Sequence, residues 1–316
     1  MARRILITGG AGFIGSHLVD RAVAGGDAVT VLDDLSTGRR GNVHPGAAFV
    51  RGDILDDAPL SDLVACSDAV VHLAARVSVQ DCIRHWQDGH RVNLLGTLAV
   101  LQAAHRAGGV PVVYASSAAV YGDGGSRPCR EGDLPRPISP YAADKLACEH
   151  QARAMAAIHG LPSVGLRFFN VYGPRQDVAS AYAGVIARLC ADRLADRPHT
   201  LFGDGLQSRD FVHVGDVVEA VLTALDQAAR RGGASVFNIC TGSGTSLLDL
   251  AGRIDGIAGR GPTPVTHAAP RAGDIRHSCG DPAAARRELG WTAGVDLTTG
   301  LADVLRSMSD TPSPVR

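Results

Sequence analysis

The sequence predicts an α/β fold organised around a doubly wound parallel sheet. Two observations lead to this prediction. In the first half of the chain, short apolar runs typical of buried strands alternate with segments of helical periodicity. The first run, residues 4–8, ends in a glycine-rich turn that leads directly into a helical pattern. Strands that alternate with helices form right-handed βαβ units, in which consecutive strands lie parallel.

The same patterns predict the order of the elements. Strands are expected at 4–8, 28–32, 69–73, 110–115 and 163–168, and helices at about 140–159 and near 180–195, 214–230 and 246–258. Beyond residue 170 the alternation loosens into segments rich in Gly, Pro and Arg. We therefore expect residues 1–169 to form the sheet domain. Residues 170–316 should form mainly a smaller lobe, interleaved with the sheet domain through the helix near 214–230.

Composition argues against several classes of protein. The 316 residues, of which 45% are hydrophobic, can bury a large core. With 31 basic and 32 acidic residues the net charge is -1, so no nucleic-acid partner is expected. Seven cysteines without a C-x-x-C pair favour a reducing, cytoplasmic location and argue against a metal site or a disulfide framework. We expect neither a signal peptide nor a membrane span.

A glycine motif follows the first predicted strand. Gly9, Gly12 and Gly15 have the spacing G-x-x-G-x-x-G, and the helical pattern starts with Phe13 and Ile14. Glycines between a strand and a helix let the backbone approach a pyrophosphate, and the N–H groups of the helix then face that anion. The motif therefore predicts a dinucleotide site.

Asp33 indicates which dinucleotide binds. It ends the second predicted strand, about 20 residues beyond the glycines, where a carboxylate accepts hydrogen bonds from the adenosine ribose. Its negative charge would repel a 2′-phosphate. Arg39 and Arg40 lie nearby and could reverse this preference towards NADP, but a solvated pair in a loop accounts for them better. We predict NAD as the cofactor.

Ser117, Tyr141 and Lys145 are the candidate catalytic residues. Tyr141 and Lys145 stand four residues apart just after Pro140, which starts a helix, so both side chains lie on one face. A nearby ammonium and a positive nicotinamide favour the phenolate of a tyrosine, and Tyr141 could then act as a general base. Ser117 lies at a strand end, where its hydroxyl can bond the reacting oxygen of a substrate.

These motifs resemble those of the extended short-chain dehydrogenases/reductases, within the NAD-dependent epimerase/dehydratase family. The glycine motif, the S-S-x-x-V-Y-G segment at 116–122 and the Y-x-x-x-K pair carry the resemblance, which runs from Arg4 to about Trp291. It implies a Rossmann-type sheet with a smaller, interleaved C-terminal substrate-binding lobe. It also implies cofactor contacts from Phe13, Ile14, Asp53, Ile54, Leu73, Ala74, Ala75, Asn93, Tyr141 and Lys145.

The resemblance further implies a site for a nucleotide sugar, a UDP-hexose. The substrate contacts that it implies are Ser117, Asn170, Ala183, Val185, Phe202, Arg209, Arg271 and Ser278. Arg209 and Arg271 would hold the two phosphates, for which forked guanidinium groups are suited. The small Ser278 would leave room for an N-acetyl group at C2 of the sugar. Helices near 81–107 and 140–159 resemble those that pair in family homodimers.

The two residues after Ser117 bear on the reaction. Related sugar dehydratases carry an acid pair there and related decarboxylases carry a glutamate, whereas this chain has Ala118 and Ala119. Neither alanine can transfer a proton. The resemblance therefore implies 4-epimerisation, in which C4 gives a hydride to NAD, becomes a 4-keto group and regains the hydride on its opposite face.

Three alternatives stay open at this point. The substrate could be UDP-glucuronate, whose carboxylate could pair with Arg76, Arg175 or Arg188. The protein could be another nucleotide-sugar dehydratase or reductase. The third alternative is a non-catalytic NAD-binding sensor, although such proteins typically lose the tyrosine or the lysine, and this chain keeps both.

Overall fold

A seven-stranded parallel sheet forms the centre of the protein, which we describe from a computed structural model covering residues 2–125, 127–177, 184–270 and 274–310. The strands in chain order are β1 (Arg4–Thr8), β2 (Ala28–Asp33), β3 (Ala48–Arg51), β4 (Ala69–His72), β5 (Val112–Ser117), β6 (Ser163–Phe168), β7 (Asn170–Tyr172), β8 (His199–Phe202), β9 (Ser208–His213), β10 (Ala234–Ile239), β11 (Gly244–Ser246), β12 (Val265–Ala268) and β13 (His277–Ser278). The central sheet has the order β3-β2-β1-β4-β5-β6-β10, and all its pairs are parallel. This confirms the predicted Rossmann-type fold.

Helices cover both faces of this sheet. They are α1 (Phe13–Ala24), α2 (Asp57–Ala65), α3 (Val79–Arg84), α4 (Trp86–His90), α5 (Gly96–Arg106), α6 (Pro140–His159), α7 (Val185–Leu194), α8 (Val214–Arg231), α9 (Leu247–Ile257) and α10 (Leu297–Asp310). A π-helical turn at Arg91–Leu95 joins α4 to α5, and a 3-10 turn at Ala118–Tyr121 follows β5. None of the helices in the described ranges is both long and apolar enough to cross a membrane.

The two faces of the sheet bury separate sets of side chains because successive residues of a strand point in opposite directions. Ile5 and Ile7 of β1 lie in one buried cluster with Leu18 of α1 and residues of α8. Leu6, between them, lies in a second cluster with Val100 of α5 and residues of α2 and α6. Burial on both faces explains why these strands read as nearly continuous apolar runs.

The long helix α6 has the predicted bounds, and its local sequence explains both ends. Ser139 is the N-cap, and its side chain accepts a hydrogen bond from the backbone N–H of Ala142 over 3.2 Å. Pro140 occupies the first turn, where its missing N–H costs nothing. Gly160 ends the helix in the left-handed conformation with φ +68. Tyr141 and Lys145 are therefore held on the first turns of a well-capped helix.

Two strands of the central sheet, β3 and β10, were not predicted from the sequence. Both are edge strands, and most of their residues are partly exposed, so they lack the continuous apolar run of a central strand. Strand β10 pairs with β6, and α8 packs against α1, β5 and β6. Strand β10 and helix α8, both from the second half of the chain, thus complete the central sheet and its helical cover.

The remaining elements form the smaller lobe. Strand β9 lies between β11 and β13 and also pairs with β7, while β8 pairs with β12. Helices α7, α9 and α10 bury a third apolar cluster that includes Leu189, Ile254 and Leu301. Since β7 follows β6 almost directly, this lobe begins at the carboxyl end of the central sheet, beside the candidate site.

Candidate active site

A cavity of about 380 Å³ lies at the carboxyl ends of β5 and β6, where ligands bind in open α/β sheets. It is bounded by the loop after β4, the turn after β5, the start of α6 and segments of the smaller lobe. The lining residues are Val77, Ser78, Val79, Gln80, Ser117, Ala118, Ala119, Tyr141, Phe168, Phe169, Asn170, Arg209, Asp274, Ile275 and Ser278. The fold thus brings Ser117, Tyr141, Asn170, Arg209 and Ser278, predicted from distant parts of the sequence, around one cavity.

The glycine motif forms a close-fitting turn between β1 and α1. Gly9 has φ +73, and a Cβ there would lie 2.6 Å from the backbone N of Ala74. A Cβ on Gly15 would collide with the carbonyl oxygen of Gly9. Gly12 is the N-cap of α1 and brings no side chain over the first N–H groups of the helix. A turn that excludes side chains and exposes helix N–H groups fits the pyrophosphate of a dinucleotide.

Asp33 lies next to this turn at the end of β2. One carboxylate oxygen accepts a hydrogen bond from the backbone N–H of Ala11 and the other from that of Leu35, each over 2.9 Å. Each oxygen retains a lone pair for a further donor, such as a ribose hydroxyl. Burial raises the pKa of Asp33, while the two backbone hydrogen bonds lower it. The carboxylate is therefore fixed where the predicted adenosine ribose would lie.

The two nearby arginines are both engaged elsewhere. Arg39 donates to Asp177 over 3.2 Å, and the guanidinium carbon of Arg40 lies 4.6 Å from the ring centroid of Phe49. The chemistry beside Asp33 therefore fits NAD, with a free ribose hydroxyl, better than a 2′-phosphorylated dinucleotide.

Most of the other predicted cofactor residues lie on the loops after β3 and β4 and in the turn Arg91–Leu95, and several have visible structural tasks. Asp53 accepts a hydrogen bond from the N–H of Leu55 over 2.9 Å, as a turn residue would, and Ile54 is buried in the core. Asn93 is fully buried, and its side chain bonds both backbone groups of Arg76. The segment 73–75 leads from β4 to Arg76, whose backbone is held by Asn93. Asn93 therefore shapes the loop that borders the predicted nicotinamide side.

Ser117 and Tyr141 face the cavity together, while Lys145 lies behind them. The Lys145 ammonium donates to the carbonyl of Ala115 over 2.8 Å and lies 5.9 Å from the ring centroid of Tyr141. The Ser117 hydroxyl accepts a hydrogen bond from the N–H of Ala119 over 3.2 Å. The catalytic candidates are thus neighbours, with the lysine fixed by backbone.

Burial dominates the electrostatics of Tyr141 and Lys145. It raises the pKa of Tyr141 to about 12, while hydrogen bonding to Ser117 lowers it. Burial also lowers the pKa of Lys145. Both shifts favour the uncharged forms, because desolvation disfavours a charge. A bound nicotinamide would add positive charge beside the phenol and so favour its phenolate.

The lobe side of the cavity carries the anion-binding candidates. Arg209 donates to Asp274 over 2.5 Å and to the carbonyl of Ser208 over 2.8 Å. Burial lowers the pKa of Arg209, and Asp274 raises it. Ser278 of β13 pairs in register with Arg209 of β9, so both side chains are placed by one strand pair.

Two predicted substrate residues, Val185 and Phe202, lie within the described ranges but do not line this cavity. Val185 packs against the apolar cluster of the smaller lobe, and Phe202 lies under the guanidinium of Arg188, 5.3 Å from the ring centroid. Ala183 and Arg271 lie outside the described residues.

Sequence reasoning missed an apolar wall in this cavity. Val77, Val79, Phe168, Phe169 and Ile275 line it, and together with Ala118 and Ala119 they border the reacting side. The phenylalanines directly precede Asn170, the one residue of this stretch to which the sequence analysis assigned a role. Their position at the carboxyl end of a parallel strand, with Phe168 ending β6 and Phe169 following it, is the signal that could have identified them.

Comparisons with known proteins agree with this geometry. The profile of the "NAD dependent epimerase/dehydratase family" matches residues 5–240. A UDP-glucose 4-epimerase of Mycolicibacterium smegmatis is 42% identical over 308 residues, which cover 95% of this chain and 96% of that protein. The crystal structure of UDP-glucose 4-epimerase from Thermotoga maritima with UDP-glucose has a TM-score of 0.91 and 36% identity, and the match covers 97% of this chain and 98% of that one.

A third relative has a different named substrate. A UDP-N-acetylglucosamine 4-epimerase from Methanobrevibacter ruminantium, solved in complex with UDP-N-acetylmuramic acid, has a TM-score of 0.91 at 31% identity, with 98% of each chain covered. The family profile matches well over half of the chain, and the relatives match nearly all of it. The protein is a member of the NAD-dependent epimerase/dehydratase family.

Proposed function

We propose that this protein is an NAD-dependent 4-epimerase that inverts C4 of a UDP-hexose through a transient 4-keto sugar. The observation that carries the proposal is that Ser117 and Tyr141 share one cavity with Arg209, beside a glycine turn that fits a dinucleotide. The cavity therefore has room for a sugar at the reacting hydroxyls and for its diphosphate at the guanidinium. The relatives named as UDP-glucose 4-epimerases support this reading.

The proposed roles follow from the positions of the side chains. The Ser117 hydroxyl bonds O4 of the sugar, and the Tyr141 phenolate takes the O4 proton and later returns it. NAD, when bound, would supply the hydride acceptor and donor at C4, and the 4-keto sugar would turn over between the two transfers so that its opposite face is reduced. Lys145, held by the Ala115 carbonyl, supplies a positive charge one helical turn behind the phenol. Each proton and the hydride return to the sugar, so substrate and product have the same mass.

The residues of the turn after β5 favour epimerisation over dehydration. Ala118 and Ala119 line the cavity beside Ser117, and neither carries a group that can move a second proton. Elimination of water across C5 and C6 requires such a group. A non-catalytic NAD sensor would not need Ser117 and Tyr141 to share a ligand-sized cavity, and this arrangement favours an enzyme.

The wall of the cavity favours a hexose with an uncharged C6 over a hexuronate. The three arginines considered for a carboxylate are engaged elsewhere. Arg175 pairs with Asp20 over 2.6 Å, and Arg76 lies within 3.7 Å of Asp81 and Asp88. Arg188 lies over Phe202. Among the described lining residues Arg209 is the one cation, and Asp274 compensates its charge, so a carboxylate on the sugar would have no cation of its own to pair with.

The remaining substrate contacts belong to the same proposal. Arg209, with Arg271, would hold the diphosphate, and Asn170 would bond it at the cavity rim. Ala183, Val185 and Phe202 would wall the uracil. Ser278 would leave space for an N-acetyl group at C2, so UDP-N-acetylglucosamine is included among the proposed substrates. Gly9, Gly12, Gly15, Asp33 and Asn93 would hold or border NAD as derived above.

We also propose a cytoplasmic homodimer. All seven cysteines are free thiols, in keeping with a reducing compartment. Ile83, Trp86 and Leu95 are large apolar side chains that are exposed between α3 and α5, and a second copy of the chain would cover them. Analytical ultracentrifugation would report the assembly. Replacing Trp86 by Glu should shift a dimer towards monomer.

One experiment separates the candidate functions. The purified protein is incubated separately with UDP-glucose, UDP-N-acetylglucosamine and UDP-glucuronate, and the epimers are resolved by chromatography and mass. We expect mass-neutral conversion of the first two, and little conversion of the uronate. Tyr141→Phe should abolish conversion while the bound NAD is retained. Loss of water from the product, or net oxidation of NADH, would replace the proposal with a dehydratase or a reductase.

A further inference from the structure

A buried imidazole that the proposed reaction does not use lies at the end of β4, behind the loop that packs on the glycine turn. His72, the last residue of β4, is 2% exposed. Its Nδ1 lies 2.7 Å from the Thr8 hydroxyl, at the end of β1, and its Nε2 lies 3.1 Å from the Thr97 hydroxyl of α5. The ring therefore connects the strand before the glycine turn to a helix on one face of the sheet.

The hydrogen-bond pattern fixes the tautomer of this ring. The Thr97 hydroxyl donates to the carbonyl of Asn93 over 2.6 Å, because a carbonyl can only accept. Its oxygen must then accept the proton of His72 Nε2. Nδ1 is left as the acceptor for the Thr8 hydroxyl, whose oxygen accepts from the N–H of Ala74 over 3.4 Å. Every donor in this series of hydrogen bonds therefore has one acceptor.

The imidazole is also held neutral. Burial, and then the positive charge of Lys145, lower the pKa of His72 to about 3. A neutral ring can donate at one nitrogen and accept at the other, whereas a protonated ring would donate at both, which would reverse the hydrogen bond with Thr8 and leave the Thr8 proton without its present acceptor.

Asn93 and Gly9 hold the two ends of the loop that follows β4. Asn93 accepts from the N–H of Arg76 over 2.9 Å and donates to the carbonyl of Arg76 over 3.1 Å. At the other end, Ala74 packs closely on Gly9. A Cβ added to Gly9 would lie 2.6 Å from the backbone nitrogen of Ala74. His72 joins these two ends through Thr8 and Thr97, so the segment 73–76 cannot shift unless this chain of hydrogen bonds breaks.

We propose that His72 is a positioning residue for epimerisation, which fixes the segment 73–76 against the glycine turn and thereby the place of the dinucleotide relative to Tyr141. This inference rests on the proposed function. Hydride must leave C4 and return to it from a ring held at one distance and angle, and misplacement by about 1 Å can cost roughly 100-fold in rate. The role is carried by hydrogen bonds and not by proton transfer to the substrate.

Two substitutions of His72 test the proposal. His72→Phe keeps the ring volume and removes both polar contacts, while His72→Gln keeps a donor near the position of Nε2. We expect kcat for UDP-glucose to fall roughly 10- to 100-fold in the Phe variant, with KM changed little, and to recover partly in the Gln variant. During turnover, the Phe variant should also accumulate reduced nicotinamide, seen by its near-ultraviolet absorbance, because hydride return is slowed.

Thr97 supplies an independent test with a matched control. Thr97→Val removes the hydroxyl that accepts from His72 at nearly constant shape, and we expect the same spectral signature in a milder form. Thr223→Val removes an equivalent hydroxyl on α8, which donates to the carbonyl of Glu219 over 2.8 Å on the surface, and should behave like wild type. Thr97→Val decides the question if His72→Phe does not fold.

The outcomes are distinguishable from failure of the proposed function. If the wild-type protein converts no UDP-hexose, the proposed function itself is wrong. If the wild type is active, and the folded His72→Phe and Thr97→Val proteins retain its kcat and its fraction of reduced cofactor, the positioning role is wrong. A loss of activity that follows only the loss of folded protein, with a wild-type spectrum for the remainder, would likewise overturn it.

Discussion

Arg209 and Asp274 form an ion pair inside the substrate cavity, with 2.5 Å between the guanidinium nitrogen and the carboxylate oxygen. The Arg209 side chain is only 13% exposed, so the pair is largely shielded from water. A second nitrogen of the guanidinium is fixed by the carbonyl of Ser208. The charge that would bind a diphosphate is therefore compensated and oriented within the same cavity.

Replacing this arginine should impair substrate binding more than the chemical step. In Arg209→Met the diphosphate loses its cation, and Asp274 is left as an unpaired negative charge in its path. We expect KM for UDP-glucose to rise roughly 10- to 100-fold, as for loss of a charged hydrogen bond, with a smaller change in kcat. Initial-rate kinetics measure both constants.

The control for this substitution is Arg260→Met, which removes an arginine that pairs with Asp196 at the surface. Its KM should equal that of the wild type. Adding Asp274→Asn to Arg209→Met should recover part of the loss, since the uncompensated charge is removed. An unchanged KM in Arg209→Met would assign the diphosphate to another part of the chain.

Tyr141 should impose a pH dependence on the reaction. A general base must be deprotonated, so activity should fall as the pH drops below the pKa of the phenol. Burial raises the pKa of Tyr141 to about 12, and positive charge from Lys145 and NAD must lower it in the working enzyme. In Lys145→Met, we expect the acidic limb of the kcat/KM profile to move to higher pH.

The profile must be compared at equal cofactor content, because Lys145 is also a proposed cofactor contact. NAD released by denaturation measures that content in both proteins. An acidic limb at the same pH in both proteins would show that the lysine charge does not act on the phenol.

Much of the fold was predictable because burial leaves a local signature. Strands β1 and β6 are covered on both faces, and their predicted bounds agree with the structure. Pro140, directly before Tyr141, likewise marked the start of α6. Edge strands β3 and β10 lack that signature, since their pairing depends on partners distant in the sequence.

The sequence singled out residues that meet at one cavity, but it did not predict their electrostatic arrangement. Motif spacing singled out Ser117 and Tyr141, the family resemblance added Arg209, and all three line the cavity. The pKa of Tyr141 depends on desolvation by segments far away along the chain, and the charge on Arg209 is shared with Asp274. Such effects depend on three-dimensional proximity, which no local pattern encodes.

Ser278 should determine which sugars are accepted. It lines the cavity on β13, beside Arg209, and its small side chain leaves space that an N-acetyl group can fill. We expect Ser278→Tyr to abolish conversion of UDP-N-acetylglucosamine while conversion of UDP-glucose falls much less. Ratios of kcat/KM for the two substrates measure this selectivity. Ser243→Tyr, on a neighbouring exposed loop, controls for added bulk and should leave the ratio unchanged.

His72 should make the folded protein sensitive to acid. Its pKa is lowered from 6.5 to about 3 in the fold, so the unfolded chain binds a proton there that the folded chain does not. The stabilisation by neutral His72 is complete above the pKa that this residue has in the unfolded chain. It is lost as the pH falls from 6.5 towards the pKa of His72 in the folded protein. In that window the free energy of unfolding should fall by about 1.4 kcal/mol per pH unit for this one proton.

The slope can be isolated by substitution. In His72→Gln the titrating group is gone. The free energy of unfolding, measured by urea denaturation between about pH 4 and about pH 6, should therefore change less steeply with pH than in the wild type, by the slope that corresponds to about one proton. His150→Gln, which replaces an exposed imidazole on α6, controls for the substitution itself. The same slope in His72→Gln and wild type would mean that His72 can take up a proton in the folded protein, and that its hydrogen bonds to Thr8 and Thr97 do not hold it neutral.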